Sequence, residues 1–298
     1  VEWKKLRNQS IKQTEFPYEY REGQKELVTS VYRTILRKKK LFIQAPTGVG
    51  KTMATVFPAV KAVGEGLAEK LFYLTAKTIT RTVAQQAFEI LKEGPRRENG
   101  QISESEQMRY KTIVLTAKEK ICFCDKAECN PDYCLYAKGH YDRINDAVYE
   151  MITETDDLSR SAIEQQAKKW QVCPFELGLD LSLWCDVVIG DYNYLFDPVV
   201  HLERLFDTAG DYLFLLDEAH NLPDRARGMH SAVLAKSAFY DAKKRLGKGK
   251  SSLKNALTKV NDIFIEWRHR CEEAPGDSRF GRTFFEKSRA DALDRALT

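Results

Sequence analysis

Apolar residues recur along this chain in two textures that take turns. Residues 26–37 place Leu27, Val31, Ile35 and Leu36 at near-helical spacing. Leu41-Phe42-Ile43 then forms a short unbroken apolar run, the texture of a buried strand. Ala45-Pro46-Thr47-Gly48-Val49-Gly50 reads as a loop, and a helix is predicted from near Lys51 towards Val63. Leu71-Phe72-Tyr73-Leu74-Thr75 predicts a second strand. The helix after it carries two adjoining apolar rows, Val83, Ala87, Ile90 and Ala84, Phe88, Leu91, and Gly94-Pro95 ends it. Strand alternating with helix predicts an α/β fold, a parallel sheet covered by helices.

Thr112-Ile113-Val114-Leu115-Thr116 continues that pattern until a cysteine-rich window interrupts it. Ile144, Ala147, Val148 and Met151 form an i, i+3, i+4, i+7 row, and Ser161 with Glu164 has the spacing of a capping box for a helix to Trp170. Val187-Val188-Ile189 and Tyr212-Leu213-Phe214-Leu215-Leu216 return to buried-strand texture. Beyond about Met229 the strand signals stop. There Leu253, Leu257, Val260, Phe264 and Trp267 trace one helical stripe, most simply a core face. The predicted organisation is one lobe in two parts, 1–110 and 186–229, an insertion at 111–185, and a helical segment at 230–298.

Charge and composition narrow the classes. No apolar window reaches the ~18 residues of a membrane span, because Lys51 and Asp186 break the longest runs. The first residues carry no signal-peptide core, so a soluble, cytoplasmic protein is expected, without membrane partners. The absence of an initiator methionine at Val1 suits an excerpt or a processed product. Net charge is only +4, yet from Asp241 onward 14 Lys/Arg stand against 9 Asp/Glu. That basic end suits a polyanion and a solvated helical surface equally.

Two motifs carry chemistry. Ala45-Pro46-Thr47-Gly48-Val49-Gly50-Lys51-Thr52 has the form of a phosphate-binding loop in the expected strand–loop–helix setting. Its glycines let backbone N–H groups turn onto phosphate oxygens beside a helix N-terminus. Lys51 would neutralise the β/γ-phosphates and Thr52 would offer its hydroxyl to Mg²⁺. Asp217-Glu218-Ala219-His220 directly follows the apolar strand 212–216. A carboxylate there suits the Mg²⁺ shell and its neighbour suits activation of water, so Asp217 is assigned to the metal and Glu218 to the water. Lys51 and Asp217 stand 166 residues apart, more than one lobe needs, which is why the cysteine segment is read as an insertion. Upstream, Gln24 of Arg21-x-x-Gln24 can pair with an adenine edge, and Tyr18 and Tyr20 can stack on the base or serve as hydrophobic anchors. Thr75-Ala76-Lys77-Thr78 and Asp191-Tyr192-Asn193-Tyr194-Leu195-Phe196 each follow a strand, where a nucleic-acid backbone or bases are met. For the second stretch, packing inside the lobe competes with stacking.

Of seven cysteines, Cys122, Cys124, Cys129 and Cys134 fall in one 13-residue window, a metal or cluster signal rather than a disulfide framework. Cys122, Cys129, Cys134 and Cys173 read C-x6-C-x4-C-x38-C with Cys124 extra. No C-x2-C pair of the structural zinc type occurs, and Pro174 after Cys173 is a context seen at iron–sulphur ligands. An iron–sulphur cluster leads, with zinc and free thiols as the other readings. Cys185 and Cys271 read as ordinary.

In order, the phosphate loop, the cysteine insertion and Asp-Glu-Ala-His resemble the iron–sulphur DNA helicases of superfamily 2, the xeroderma pigmentosum group D and DinG-like enzymes. Phe16-Pro17-Tyr18 with Arg21 and Gln24, Cys173-Pro174-Phe175 and Asp191–Pro198 extend the resemblance over about residues 16–225. It implies a RecA-like lobe, 5′→3′ translocation on single-stranded or forked DNA, ATP with Mg²⁺, and a 4Fe–4S cluster where the duplex splits. It also places the fourth cluster cysteine far downstream, which favours Cys173 over Cys124. The basic helical segment looks like the start of an arch domain. No Gln-x-x-Gly-Arg string follows Asp217, so unwinding is expected of a longer parent protein and not of this chain alone. A stand-alone phosphate-loop ATPase would leave the cysteines idle, and a redox or metal module would leave the loop without purpose.

Overall fold

The computed structural model describes residues 2–46, 48–94, 107–207, 209–246 and 251–273. These divide into two units, 1–230 and 231–298. In the first, α1 (Glu2–Gln13) and α2 (Gln24–Leu36) precede α3 (Lys51–Gly64), β1 (Lys70–Leu74) and α4 (Thr78–Glu93). Next come β2 (Thr112–Val114), α5 (Lys118–Ile121), α6 (His140–Glu154), β3 (Asp157–Leu158), α7 (Arg160–Trp170) and α8 (Pro174–Ser182). The unit closes with β4 (Val187–Gly190), α9 (Asn193–Phe196), α10 (Glu203–Phe206), β5 (Tyr212–Leu216) and α11 (Leu222–Met229).

The strands make one sheet in the order β3-β2-β4-β1-β5, every pair parallel. Parallel neighbours need a crossover, and the helices supply it on both faces. Side chains alternate between those faces. Leu71, Tyr73, Val187 and Ile189 join the core under α3 and α4, while Phe72, Leu74 and Val188 join the core that α6, α7 and α8 complete. Both faces are therefore apolar, which is why β1 and β4 are continuous hydrophobic runs.

The α/β reading stands, with three local differences. Leu41-Phe42-Ile43 is not a strand: Phe42 is 91% exposed and the segment is irregular. A run of three apolar residues becomes a strand only with a ladder partner. Here α2 ends with Lys38 in left-handed backbone (φ 51) and Lys39 N–H on Thr34 C=O at 3.1 Å, and the chain leaves unpaired. Among the described residues β5 is consequently the sheet edge, with Phe214 and Leu216 partly exposed. Second, the cap of α7 is Ser159, whose side chain accepts the Ala162 N–H at 3.3 Å. Ser161 lies inside the helix, and Glu164 pairs with Arg160 at 2.7 Å. Third, residues 111–185 supply β2 and β3 to the main sheet, so the segment is threaded through the lobe.

Asp186, which interrupts an apolar run, is buried and paired. Its carboxylate takes the guanidinium of buried Arg7 at 2.5 Å and the Lys111 N–H at 2.9 Å. That pair ties α1 to the start of β4. In the second unit, α12 (Lys236–Arg245) and α13 (Ser251–Glu273) pack with Phe239 and Phe264 ring centroids 5.7 Å apart, and Val260 is buried. Cys271 side-chain placement and residues 274–298 lie outside the described residues.

Candidate nucleotide site and adjoining cleft

The glycine-rich loop runs straight into α3. Gly48 (φ 92) and Gly50 (φ 76) adopt left-handed backbone that a side chain would strain. At Gly50 a Cβ would also meet Gln24 Nε2 at 2.5 Å. Lys51 opens the helix and its ammonium donates to the carbonyls of Ala45 at 2.7 Å and Pro46 at 3.3 Å. Its charge thus sits on the loop that carries Val49, and α3 begins at Lys51 itself. Thr47 lies outside the described residues.

Arg21 and Gln24 close over the same loop. The Arg21 guanidinium donates to the Gly48 carbonyl. Gln24 Nε2 reaches the Gly50 carbonyl at 3.4 Å while its Oε1 accepts the Arg21 N–H at 3.0 Å. Both residues expected near adenine therefore brace the loop. Phe16 stacks on Tyr20 with centroids 4.4 Å apart and meets Phe57 of α3 edge-on at 5.2 Å. Tyr18 and Tyr20 stay exposed.

Asp217 and Glu218 follow β5, the neighbour of β1. Near the end of β1 the Tyr73 phenol donates to Asp217 Oδ2 at 2.8 Å, and Thr52 lies beside the same phenol. Burial, and then the Asp217 charge, raise the Tyr73 phenol above its ordinary range, so it remains a protonated donor. Two hard oxygen donors, Thr52 and Asp217, thus lie on either side of one hydroxyl, and that donor chemistry fits Mg²⁺. Glu218 has left-handed backbone (φ 54), costing a non-glycine residue about 1–2 kcal/mol. The pair is held at several points: Glu218 N–H donates to Asp217 Oδ1 at 2.9 Å, and the Glu218 carbonyl accepts the Asn221 N–H at 3.0 Å and Nδ2 at 3.2 Å. Its carboxylate stays partly exposed, 3.5 Å from His220 Nε2.

A cleft of about 560 Å³ opens beside this pair, lined by Ala76, Lys77, Asn193, Asn221, Asp224 and Arg225 among others. Arg225 is held by Asp191 at 2.9 and 3.1 Å, yet its Nε and the Oδ1 of Asn193 are buried atoms with no hydrogen-bond partner. Buried polar atoms in that state are rare, and an ordered water or a ligand atom would satisfy them. Tyr192 and Tyr194 are buried in the core, so packing accounts for them. Thr75 is buried too, hydroxyl to hydroxyl with Thr80 at 2.6 Å, which leaves Ala76 and Lys77 to face the cleft.

Known families match this arrangement. DEAD_2 matches residues 79–239, more than half of the chain, and the DEAD/DEAH box helicase family matches residues 22–126. The chain belongs to the DEAD_2 family. It is similar to the regulator of telomere elongation helicase 1 of Rattus norvegicus, 21% identical over 245 residues, 70% of this chain and 19% of that protein. A stretch of 79 residues is 34% identical to the Fanconi anemia group J protein homolog of Gallus gallus, 26% of this chain and 6% of that one. The DEAD_2 chain thus spans a fifth or less of these relatives. Among solved structures, a truncated XPD has the same fold at a TM-score of 0.50 and 18% identity, covering 91% of this chain and 77% of that one. The superfamily 2 resemblance and the RecA-like fold hold.

The cysteines of this DEAD_2 chain follow β2. All six described are free thiols. Cys134 is buried, its N–H on the Asn130 carbonyl at 2.8 Å, and that turn sets its Sγ 3.7 Å from Cys124 Sγ. The hydrogen bond with Cys134 pushes the Cys124 thiol up to about 11. Exposed Cys129 donates to the Ala127 carbonyl at 3.6 Å. Cys173 caps α8, its N–H donates to His140 Nδ1 at 3.2 Å, and burial raises its thiol against the pull of the Phe175 and Glu176 amides. Cys122 ends α5. Among the described residues no three His, Cys, Asp or Glu converge on a metal position. Among the described residues no helix is long and apolar enough to cross a membrane.

Sequence reasoning did not single out Tyr73, Asn221 or Arg225. A tyrosine in an apolar strand reads as core, and an Asn or Arg on a polar helix reads as surface. No periodicity signals otherwise.

Proposed function

We propose that this chain is the first motor lobe of an ATP-dependent DNA helicase. The observation that carries the reading is the hydrogen bond of the Tyr73 hydroxyl to Asp217 with Thr52 beside that hydroxyl, which brings the phosphate loop and the acidic pair to one end of the sheet in a DEAD_2 chain. Lys51, the loop from Thr47 to Gly50, Arg21 and Gln24 would take the nucleotide, Thr52 and Asp217 the Mg²⁺, and Glu218 the attacking water. Bound Mg²⁺ would offset phosphate charge; this chain's residues orient it and hold the loop. The cleft would take single-stranded or forked DNA, with Lys77 and Arg225 towards phosphates and Asn193 Oδ1 accepting from base amino groups. Relatives named as helicases support the same assignment. Travel in the 5′→3′ direction follows from the resemblance alone.

We further propose a 4Fe–4S cluster on Cys122, Cys129, Cys134 and Cys173. Its support is the spacing and the Cys173-Pro174 context, together with thiols that are soft donors free of disulfides. No step of ATP turnover is derived through it.

The test is ATP turnover by the full-length protein with and without single-stranded DNA, and unwinding of duplexes tailed at either the 5′ or the 3′ end. DNA-stimulated hydrolysis with 5′-tailed unwinding is expected. Turnover indifferent to DNA would return the chain to the class of stand-alone ATPases.

A further inference from the structure

Both main-chain carbonyls of the acidic pair are held from the wall of the cleft. Tyr192 OH donates to the Asp217 carbonyl, and Asn221 donates twice to the Glu218 carbonyl. Asn221 lines the cleft, and so does Asn193, the next residue after Tyr192. The residue before it, Asp191, holds Arg225, another lining residue. Tyr192 itself is 0% exposed, so its hydroxyl touches the acidic pair and nothing that enters the cleft.

The geometry points to Tyr192 as the positioning residue through which the cleft sets the orientation of Glu218; the inference rests on the helicase reading above. Three links make the path. Arg225 Nε and Asn193 Oδ1 lack partners, and a DNA strand supplies both kinds they need, phosphate acceptors and base amino donors. A phosphate at Arg225 competes with Asp191 for the guanidinium and so loosens the 191–193 turn. That turn carries Tyr192, whose hydroxyl fixes the peptide between Asp217 and Glu218. Glu218 is the bistable element, since left-handed backbone in a non-glycine residue persists only while its surroundings hold it. Occupancy of the cleft then biases Glu218 through contacts that differ between the two states, as coupling between sites demands.

Tyr192→Phe removes one hydroxyl and keeps the ring in the core. In the full-length protein, with oligo-dT as the probe, three quantities are read: the ratio of DNA-stimulated to unstimulated kcat, the Kd for oligo-dT by fluorescence anisotropy, and the KM for ATP. The stimulation ratio is expected to fall at least threefold, with Kd and KM within twofold of wild type. A purely structural tyrosine would lower thermal stability and leave that ratio alone. Should Tyr192→Phe fail to fold, Tyr192→Met carries the same test, since it also fills the core without a hydroxyl. A stimulation ratio within threefold of wild type overturns the inference while the helicase reading stands. Wild-type turnover that ignores oligo-dT overturns both.

Discussion

The Tyr73 hydroxyl lies 2.8 Å from Asp217 Oδ2, with Thr52 beside it. One phenol from β1, the strand beside β5, therefore joins the loop side of the site to the acidic side. Hydrogen bonds to a charged group contribute about 1.5–3 kcal/mol, and this one sets where the carboxylate points. Tyr73→Phe should weaken metal binding by roughly tenfold, since ~1.4 kcal/mol is a factor of ten. Electron paramagnetic resonance of Mn²⁺ titrated into the full-length protein with a non-hydrolysable ATP analogue reads this directly. An unchanged Mn²⁺ affinity would remove Tyr73 from the site.

The roles of Lys51 and Glu218 separate in the same protein. Lys51→Ala should abolish nucleotide binding, because it removes the cation beside the loop carbonyls of Ala45 and Pro46. Glu218→Gln should bind ATP normally and hydrolyse it ~10²–10⁴-fold more slowly, the usual worth of a general base. Equilibrium binding of a fluorescent ATP analogue beside single-turnover hydrolysis distinguishes them. Equal loss of binding in both variants contradicts the assignment.

Arg7 and Asp186 form a buried pair whose side chains are each 7% exposed. Removing one partner strands the other's charge, which costs about 3–5 kcal/mol. Arg7→Ala in this chain should lower its urea midpoint accordingly. A change below about 1 kcal/mol would mean that water reaches Asp186 once the arginine is gone.

Glu150 joins α6 to α7. Its carboxylate accepts from Lys169, from Trp170 Nε1 at 2.5 Å and from Gln166 Nε2 at 3.0 Å. These bonds, Lys169 first, lower it to about 2 from an ordinary 4.5. A depressed carboxyl stabilises the fold above its unfolded value and loses that contribution as pH falls through the folded one. Stability should therefore drop between pH 4.5 and 2, and Glu150→Gln should flatten that part of the profile. Denaturant melts of both proteins at pH 5 and pH 3 compare the slopes.

The cysteines give a divided expectation. Cys173→Ser should yield colourless, iron-poor protein, whereas Cys124→Ser should stay brown with about four irons per chain, the count of a 4Fe–4S cluster. Anaerobic purification with iron and sulphide assays decides it. Bleaching by Cys124→Ser alone would fit the 3.7 Å approach of Cys124 to Cys134 and reverse the ligand set. Zinc in place of iron would end the cluster proposal.

What the sequence determined by itself is local. Helical spacing located α2, α4 and α6, because a 3.6-residue period is written within a few neighbouring positions. Gly48-Val49-Gly50-Lys51-Thr52 and Asp217-Glu218 were legible because their chemistry needs fixed residue types at fixed spacing. The tertiary structure decided whatever depends on pairing between distant segments. Leu41-Phe42-Ile43 has strand texture and no ladder partner, and β2 enters the sheet from within a segment that reads as an insertion. Asp186 looks like an interruption until Arg7, 179 residues away, meets it. Tyr73 reads as core and Tyr192 as either core or a stacking platform; both are core, yet their hydroxyls grip the acidic pair. Parallel strands exchange hydrogen bonds across long crossovers, so which side chains meet at the sheet's end is set by strand order, and no local pattern encodes that order.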